Sequence, residues 1–190
     1  MLRHIPNVIT IFRLVLIVPI VMLLHEGLAG WALVLFFTAS VSDGLDGFLA
    51  RRYGWISAFG RMIDPAADKL LLVATAVTLT LLDCFPPMLL WLMIAKDITV
   101  IGGLVVYTLL AGFPLIKPIW FGKFTTVVQL LLLGVIIFNQ YLLSPALGEG
   151  VIPSLYWLVA IFTLVDGCSY VWLWTSRLTE DPRWNGAVKS

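Results

Sequence analysis

The sequence predicts an all-α integral membrane protein with six transmembrane helices, and three observations carry that expectation. Of its 190 residues, 61% are hydrophobic and only 12% are charged, and the mean hydropathy is +1.01. Those values lie outside the range of soluble domains. Six apolar stretches approach or exceed the roughly 20 residues a helix needs to cross the hydrocarbon core. Lysine and arginine fall in alternate connections, the pattern that orients a multi-spanning chain. Helices are the expected form because backbone donors and acceptors in lipid must be satisfied within their own segment.

The first stretch, 5–24, has the look of a signal peptide, but its apolar run is long, Arg13 interrupts it and no small-residue cleavage site follows, so it reads as a retained span. The turn group HEGLAG separates it from the second, 31–50. The segment RRYGWISAFG precedes the third, 61–82, and DCFPP the fourth, 87–111. GFPLIKP and SPALGEGVIP set off the fifth, 121–143, and the sixth, 152–175. A membrane domain over 1–176 with a short tail over 177–190 follows, with no internal repeat. Trp31, Trp120 and Trp172 stand near span ends, where indoles anchor at the interface. Cys84 and Cys168 have no metal-ligand spacing and read as structural.

Arg3, Arg51, Arg52, Arg61, Lys117, Lys123, Arg177, Arg183 and Lys189 all fall on one side of such a bundle. The opposite loops, around His25-Glu26, Asp83 and Glu149, hold no lysine or arginine. This predicts cytoplasmic termini and puts the junction of the second and third spans at the cytoplasmic face. With 12 basic and 11 acidic residues in all, the chain has no basic face for nucleic acid.

At that junction lies the stretch DGLDGFLARRYGWISAFGRMIDPAAD, residues 43–68. Asp43 and Asp46 are three apart, Asp64 and Asp68 four apart, so each pair shares a helix face. Carboxylates within spans are costly and ordinarily face a cavity, a counter-ion or a metal. Four of them converging need positive charge between them. An all-oxygen donor set selects a hard cation, Mg²⁺ or Mn²⁺, and four carboxylates supply enough oxygens for two ions. Such a pair suits phosphoryl transfer. Gly47, Ala50 and Gly60 leave a groove where a bulky polar ligand approaches the backbone, and Arg51 stands beside it as a phosphate clamp. The plainer alternative pairs these aspartates with Arg51, Arg52, Arg61 and Lys69. The spacing of all four, with glycines between, argues for the metal site. A divalent-metal transporter is the rival of another class, but transporters favour repeat-related halves and a midplane site.

The pattern Asp43-x2-Asp46-Gly47-x2-Ala50-Arg51-x8-Gly60-x3-Asp64-x3-Asp68 resembles the full signature of the CDP-alcohol phosphatidyltransferases. Ile5-Pro6-Asn7 with Thr10 and Arg13 is similar to the opening of that family's first helix, and Gly122-Lys123 with Thr125 and Thr126 to the start of its fifth. The resemblance implies six helices, a homodimer, and a cytoplasm-facing cavity for a CDP-linked lipid and divalent metal, with a bacterial inner membrane as the expected location. It implies that Asp43, Asp46 and Asp64 ligate metal, that Asp68 is a ligand or the general base nearest the acceptor hydroxyl, and that Gly47, Ala50, Arg51 and Gly60 shape the CDP site. The implied reaction moves the phosphatidyl group of CDP-diacylglycerol to an alcohol with release of CMP.

Arg13, Arg61, Lys69, Lys117 and Lys123 are candidate cations for an acceptor phosphate. The short length, the IPN opening and the GKFTT segment look most like the phosphatidylglycerophosphate synthases and the cardiolipin synthases of the same fold. The acceptor is accordingly expected to be glycerol 3-phosphate, with phosphatidylglycerol the alternative. Lys96-Asp97 in the fourth span differs from the Arg-Glu expected of the first group and is nearer the Arg-Asp expected of the second. These two neighbours leave the helix about 100° apart and need not pair. Asp166-Gly167 with Tyr170 in the sixth span is similar to a Ser-Gly-x-x-Tyr pattern, with Asp in place of Ser; a role in helix association and a role toward substrate both stay open for these two groups.

Overall fold

The structure is a computed structural model. It describes the backbone of residues 5–53, 58–111, 120–141 and 150–180, and the side chains of 11–42, 69–103, 105–109, 122–139 and 150–176. Six helices follow in order: α1 (Ile5–His25), α2 (Ala29–Tyr53), α3 (Ala58–Leu81), α4 (Pro87–Ala111), α5 (Trp120–Tyr141) and α6 (Val151–Glu180). Each coincides with an expected span, the largest differences being the longer C-terminal end of α6 and the extensions of α2 and α3 toward the acidic junction.

Local chemistry explains the tight connections. At the end of α1 the Leu28 N–H donates to the Leu23 carbonyl (2.9 Å) and Gly27 N–H to Leu24 (3.2 Å), with Gly27 at φ 73°. This is a Schellman cap, which needs a left-handed residue that glycine adopts freely. The end of α3 repeats the arrangement, Cys84 N–H to Leu79 (2.9 Å) and Asp83 N–H to Thr80 (3.1 Å). Here Asp83 takes φ 56°, a conformation aspartate tolerates better than most residues. Pro87 then opens α4, where its missing N–H costs nothing. The Tyr156 hydroxyl donates to the Cys84 carbonyl (3.1 Å), tying α6 to this turn. Cys84 and Cys168 are separate thiols, as expected.

Packing arranges the helices as a ring. α1 lies on α2 and α3, α2 on α5, α5 on α6, α6 on α4 and α4 on α3, while α3 also touches α5 across the middle. Ala29, Ala32, Ala39 and Ala76 are buried at these contacts and bring backbones close. Phe36, Ile20, Leu24, Leu79, Leu133 and Ile137 fill the interior. The outside is equally apolar: Leu109 is 80% exposed, Met88 75%, Trp172 73% and Trp31 67%. Side chains of that kind, exposed on every helix, mark a lipid-facing surface rather than a watery one.

Among the described residues three helices are long and apolar enough to cross a membrane, over Pro87–Leu109, Gly122–Asn139 and Val151–Ser176. α1, α2 and α3 contribute the shorter apolar stretches Ile11–His25, Ala29–Ser42 and Lys69–Leu81. The six-helix count therefore agrees with expectation.

Candidate active site

α2 carries Asp43, Asp46, Gly47, Ala50 and Arg51, and α3 carries Gly60, Arg61, Asp64 and Asp68. Both segments are helical through the motif, so the spacings of three and four place Asp43 with Asp46, and Asp64 with Asp68, at positions of one helix face. α2 and α3 flank α1 in the ring, each packing on it, and both touch α5. The side chains of these nine residues, and the whole of Lys117, lie outside the described residues.

The layer at the depth of Asp68 is described in detail on the other helices. Lys69 is the next residue along α3, only about 1.5 Å further along the axis. Its Nζ lies 2.9 Å from Asp97 Oδ1 on α4. The same oxygen lies 3.2 Å from Lys96 Nζ, and that ammonium is 3.6 Å from Asp166 Oδ2 on α6. The neighbours Lys96 and Asp97, which at about 100° separation need not pair, do pair, the long lysine stem reaching an oxygen that Lys69 also holds. The stem rests on Gly167, where an added Cβ would lie 3.5 Å from Lys96 Cγ.

From Asp166 the polar layer continues to the start of α5. A Cβ built on Gly122 would stand 2.9 Å from the Tyr170 hydroxyl and 3.4 Å from Asp166 Oδ1. Glycine lets α5 approach those two polar groups without displacing the Tyr170 hydroxyl. The two motifs noted separately in the sequence, Gly122-Lys123 with Thr125 and Thr126, and Asp166-Gly167 with Tyr170, thus meet. One and two turns deeper, Thr125 and Gln129 are buried, and Gln129 Nε2 donates to Thr163 Oγ1 (3.0 Å), which donates in turn to the Val159 carbonyl (2.7 Å). Nothing in sequence spacing announced that cross-helix bond.

The candidate cations separate. Lys69 is committed to Asp97, so the expectation of a spare charge there is corrected: its partner comes from α4, 28 positions on and invisible to local spacing. Arg13 is 1% exposed, inside the bundle on α1. Lys123 is exposed on the first turn of α5. Among the described residues no group of three or more His, Cys, Asp or Glu is gathered as a metal set. The all-carboxylate donors of α2 and α3, at helical spacings now seen to be helical, suit one or two hard divalent cations.

A ring of lipid-facing helices with a polar layer at one depth, and a four-carboxylate motif on two consecutive helices that both pack on α1, defines a membrane protein equipped for chemistry on a charged substrate. Residues 3–167 match the model of the CDP-alcohol phosphatidyltransferase family, and the chain belongs to that family. It is 30% identical over 179 residues to a CDP-diacylglycerol–glycerol-3-phosphate 3-phosphatidyltransferase of Rickettsia prowazekii, covering 88% of this chain and 93% of the relative. A protein of the same name from Bacillus subtilis is 28% identical over 184 residues, covering 88% and 93%. A cardiolipin synthase (CMP-forming) of Streptomyces coelicolor is 46% identical over 68 residues, covering 36% and 32%.

Proposed function

We propose that the chain is a CDP-diacylglycerol-dependent phosphatidyltransferase whose acceptor is glycerol 3-phosphate, releasing CMP and leaving phosphatidylglycerophosphate in the membrane. The observation that carries the acceptor is coverage. Similarity to relatives named for glycerol 3-phosphate runs over 88% of the chain, whereas similarity to the cardiolipin synthase covers 36%. The second reading, phosphatidylglycerol as acceptor, is favoured by the higher identity of that shorter match and by Lys96-Asp97.

Asp43, Asp46, Asp64 and Asp68 hold two Mg²⁺ or Mn²⁺ ions, which when bound neutralise the diphosphate and make CMP a good leaving group. Gly47, Ala50 and Gly60 admit the cytidine diphosphate against the backbone, and the Arg51 guanidinium binds its phosphate oxygens. Asp68 takes the proton of the acceptor hydroxyl as that oxygen bonds to the lipid-side phosphorus, and the bond from phosphorus to the CMP oxygen breaks. Arg61, Lys117 and Lys123 receive the acceptor phosphate. The site faces the cytoplasm of a bacterial inner membrane, and the functional unit is a homodimer.

The test is purified protein in detergent with labelled CDP-diacylglycerol and Mg²⁺, offered glycerol 3-phosphate, phosphatidylglycerol, inositol phosphate or serine in parallel while CMP release is followed. Release with glycerol 3-phosphate is expected, and undiminished release in EDTA refutes the metal site. Release with phosphatidylglycerol alone assigns the cardiolipin reaction. No release with any acceptor, together with Mn²⁺ uptake by proteoliposomes, makes the chain a transporter.

A further inference from the structure

Lys69 poses a problem for the site beside it. It follows Asp68 directly, and its ammonium is a compact point charge on a flexible four-carbon stem. Its side chain is 34% exposed, so it has room to swing. In the low-dielectric interior of a membrane bundle an unpaired ammonium takes the nearest carboxylate, and along α3 the nearest are those of the motif. A lysine captured there would compete directly with a divalent cation.

The structure shows that ammonium paired on α4. Asp97 Oδ1 on α4 holds Lys69 Nζ at 2.9 Å and also meets Lys96 Nζ at 3.2 Å. Lys96 is in turn held by Asp166 Oδ2 at 3.6 Å, with Asp166 1% exposed. Two lysines and two aspartates form a chain with no net charge that runs from α3 through α4 to α6. We propose that Asp97 is a positioning residue whose task is to keep the Lys69 ammonium off the acidic face of α2 and α3, leaving its carboxylates to the metal. The inference rests on the reading of Asp43, Asp46, Asp64 and Asp68 as metal ligands and adds a residue on a third helix to the requirements for metal binding.

The test reads metal binding directly, by electron paramagnetic resonance of free Mn²⁺ titrated with protein in detergent, with no substrate present. Asp97→Asn frees Lys69 and is expected to raise the Mn²⁺ Kd by about tenfold or more, because a unit charge shifts toward a divalent ion. Lys69→Met/Asp97→Asn removes the competitor and is expected to return the Kd to within about twofold of the starting protein. An unaltered Kd in Asp97→Asn, or a double variant as weak as the single one, overturns the proposal. Should Asp97→Asn not fold, the cation is restored after folding. Lys69→Cys/Asp97→Asn, with Cys84 and Cys168 replaced, is treated with a methanethiosulfonate carrying ethylammonium or with its neutral methyl analogue. Only the ammonium reagent is expected to raise the Kd, reversibly with dithiothreitol; equal effects of the two reagents overturn the proposal. Asp64→Asn in the otherwise native chain is the separating control. If it binds Mn²⁺ normally, the metal-site reading itself fails and takes the inference with it; if it does not, a negative result with Asp97→Asn counts against Asp97 alone.

Discussion

Lys96→Met tests the polar layer through stability alone. The Lys96 ammonium is the counter-charge for Asp166, at 3.6 Å, and both are buried, Lys96 with 8% of its side chain exposed and Asp166 with 1%. Methionine fills nearly the same volume along Gly167, so the packing of the stem is conserved and the change isolates the charge. Asp97 keeps Lys69 at 2.9 Å and is not stranded. Asp166 is stranded, and breaking a buried pair from one side costs about 3–5 kcal/mol. At about 2–4 °C per kcal/mol for a chain of this size, the expected fall in Tm is about 6–20 °C. Removing both charges in Lys96→Met/Asp166→Asn is expected to recover most of the loss, because the penalty lies in the uncompensated carboxylate. The assay is thermal unfolding in detergent micelles followed by tryptophan fluorescence. A single variant melting within about 2 °C of the parent, or a double variant no better than the single, refutes the assignment of Lys96 as the counter-ion of Asp166.

Three further outcomes are expected. Gly103→Ala places a Cβ 2.5 Å from Trp174 Cδ1 and 2.8 Å from its Nε1, so the indole must leave its seat beside Tyr107 and stability falls by about 1–3 kcal/mol, while Gly102→Ala, which meets nothing within 4 Å, stays neutral or gains slightly in the same melting assay. Asp68→Asn is expected to lose CMP release yet keep metal-dependent binding of CDP-diacylglycerol, whereas Asp64→Asn weakens both; loss of lipid binding in Asp68→Asn as complete as in Asp64→Asn would make Asp68 chiefly a ligand and remove it as the base. A cysteine from Gly54→Cys, with Cys84 and Cys168 replaced, is expected to react with an impermeant maleimide only from the cytoplasmic side, and labelling from the opposite side would invert the orientation drawn from lysine and arginine.

The agreement between expected and observed helices has a plain cause. In a bilayer, apolar length and turn formers decide where a helix begins and ends, and both are local properties of the chain, as the Gly27 and Asp83 caps show. The four-aspartate motif is legible for the same reason: its chemistry lies in residue type and spacing within 26 consecutive positions. The pairing of Lys69 is not legible in the sequence because its partner is on another helix. Nor is that of Gln129, since a lone polar residue in a span gives no sign of which helix it faces.

Hydropathy and periodicity are carried by neighbouring residues, and they suffice to establish a six-helix membrane chain with a carboxylate motif at the junction of its second and third helices. The ring order of the helices, the meeting of Gly122 with Asp166 and Tyr170, and the chain of charge from Lys69 through Asp97 and Lys96 to Asp166 emerge from the packed bundle alone. A helix presents polar groups on several faces. Which face meets which neighbour depends on close packing among all six helices together, and in a chain whose outer surface is as apolar as its interior, hydropathy does not distinguish one face from another.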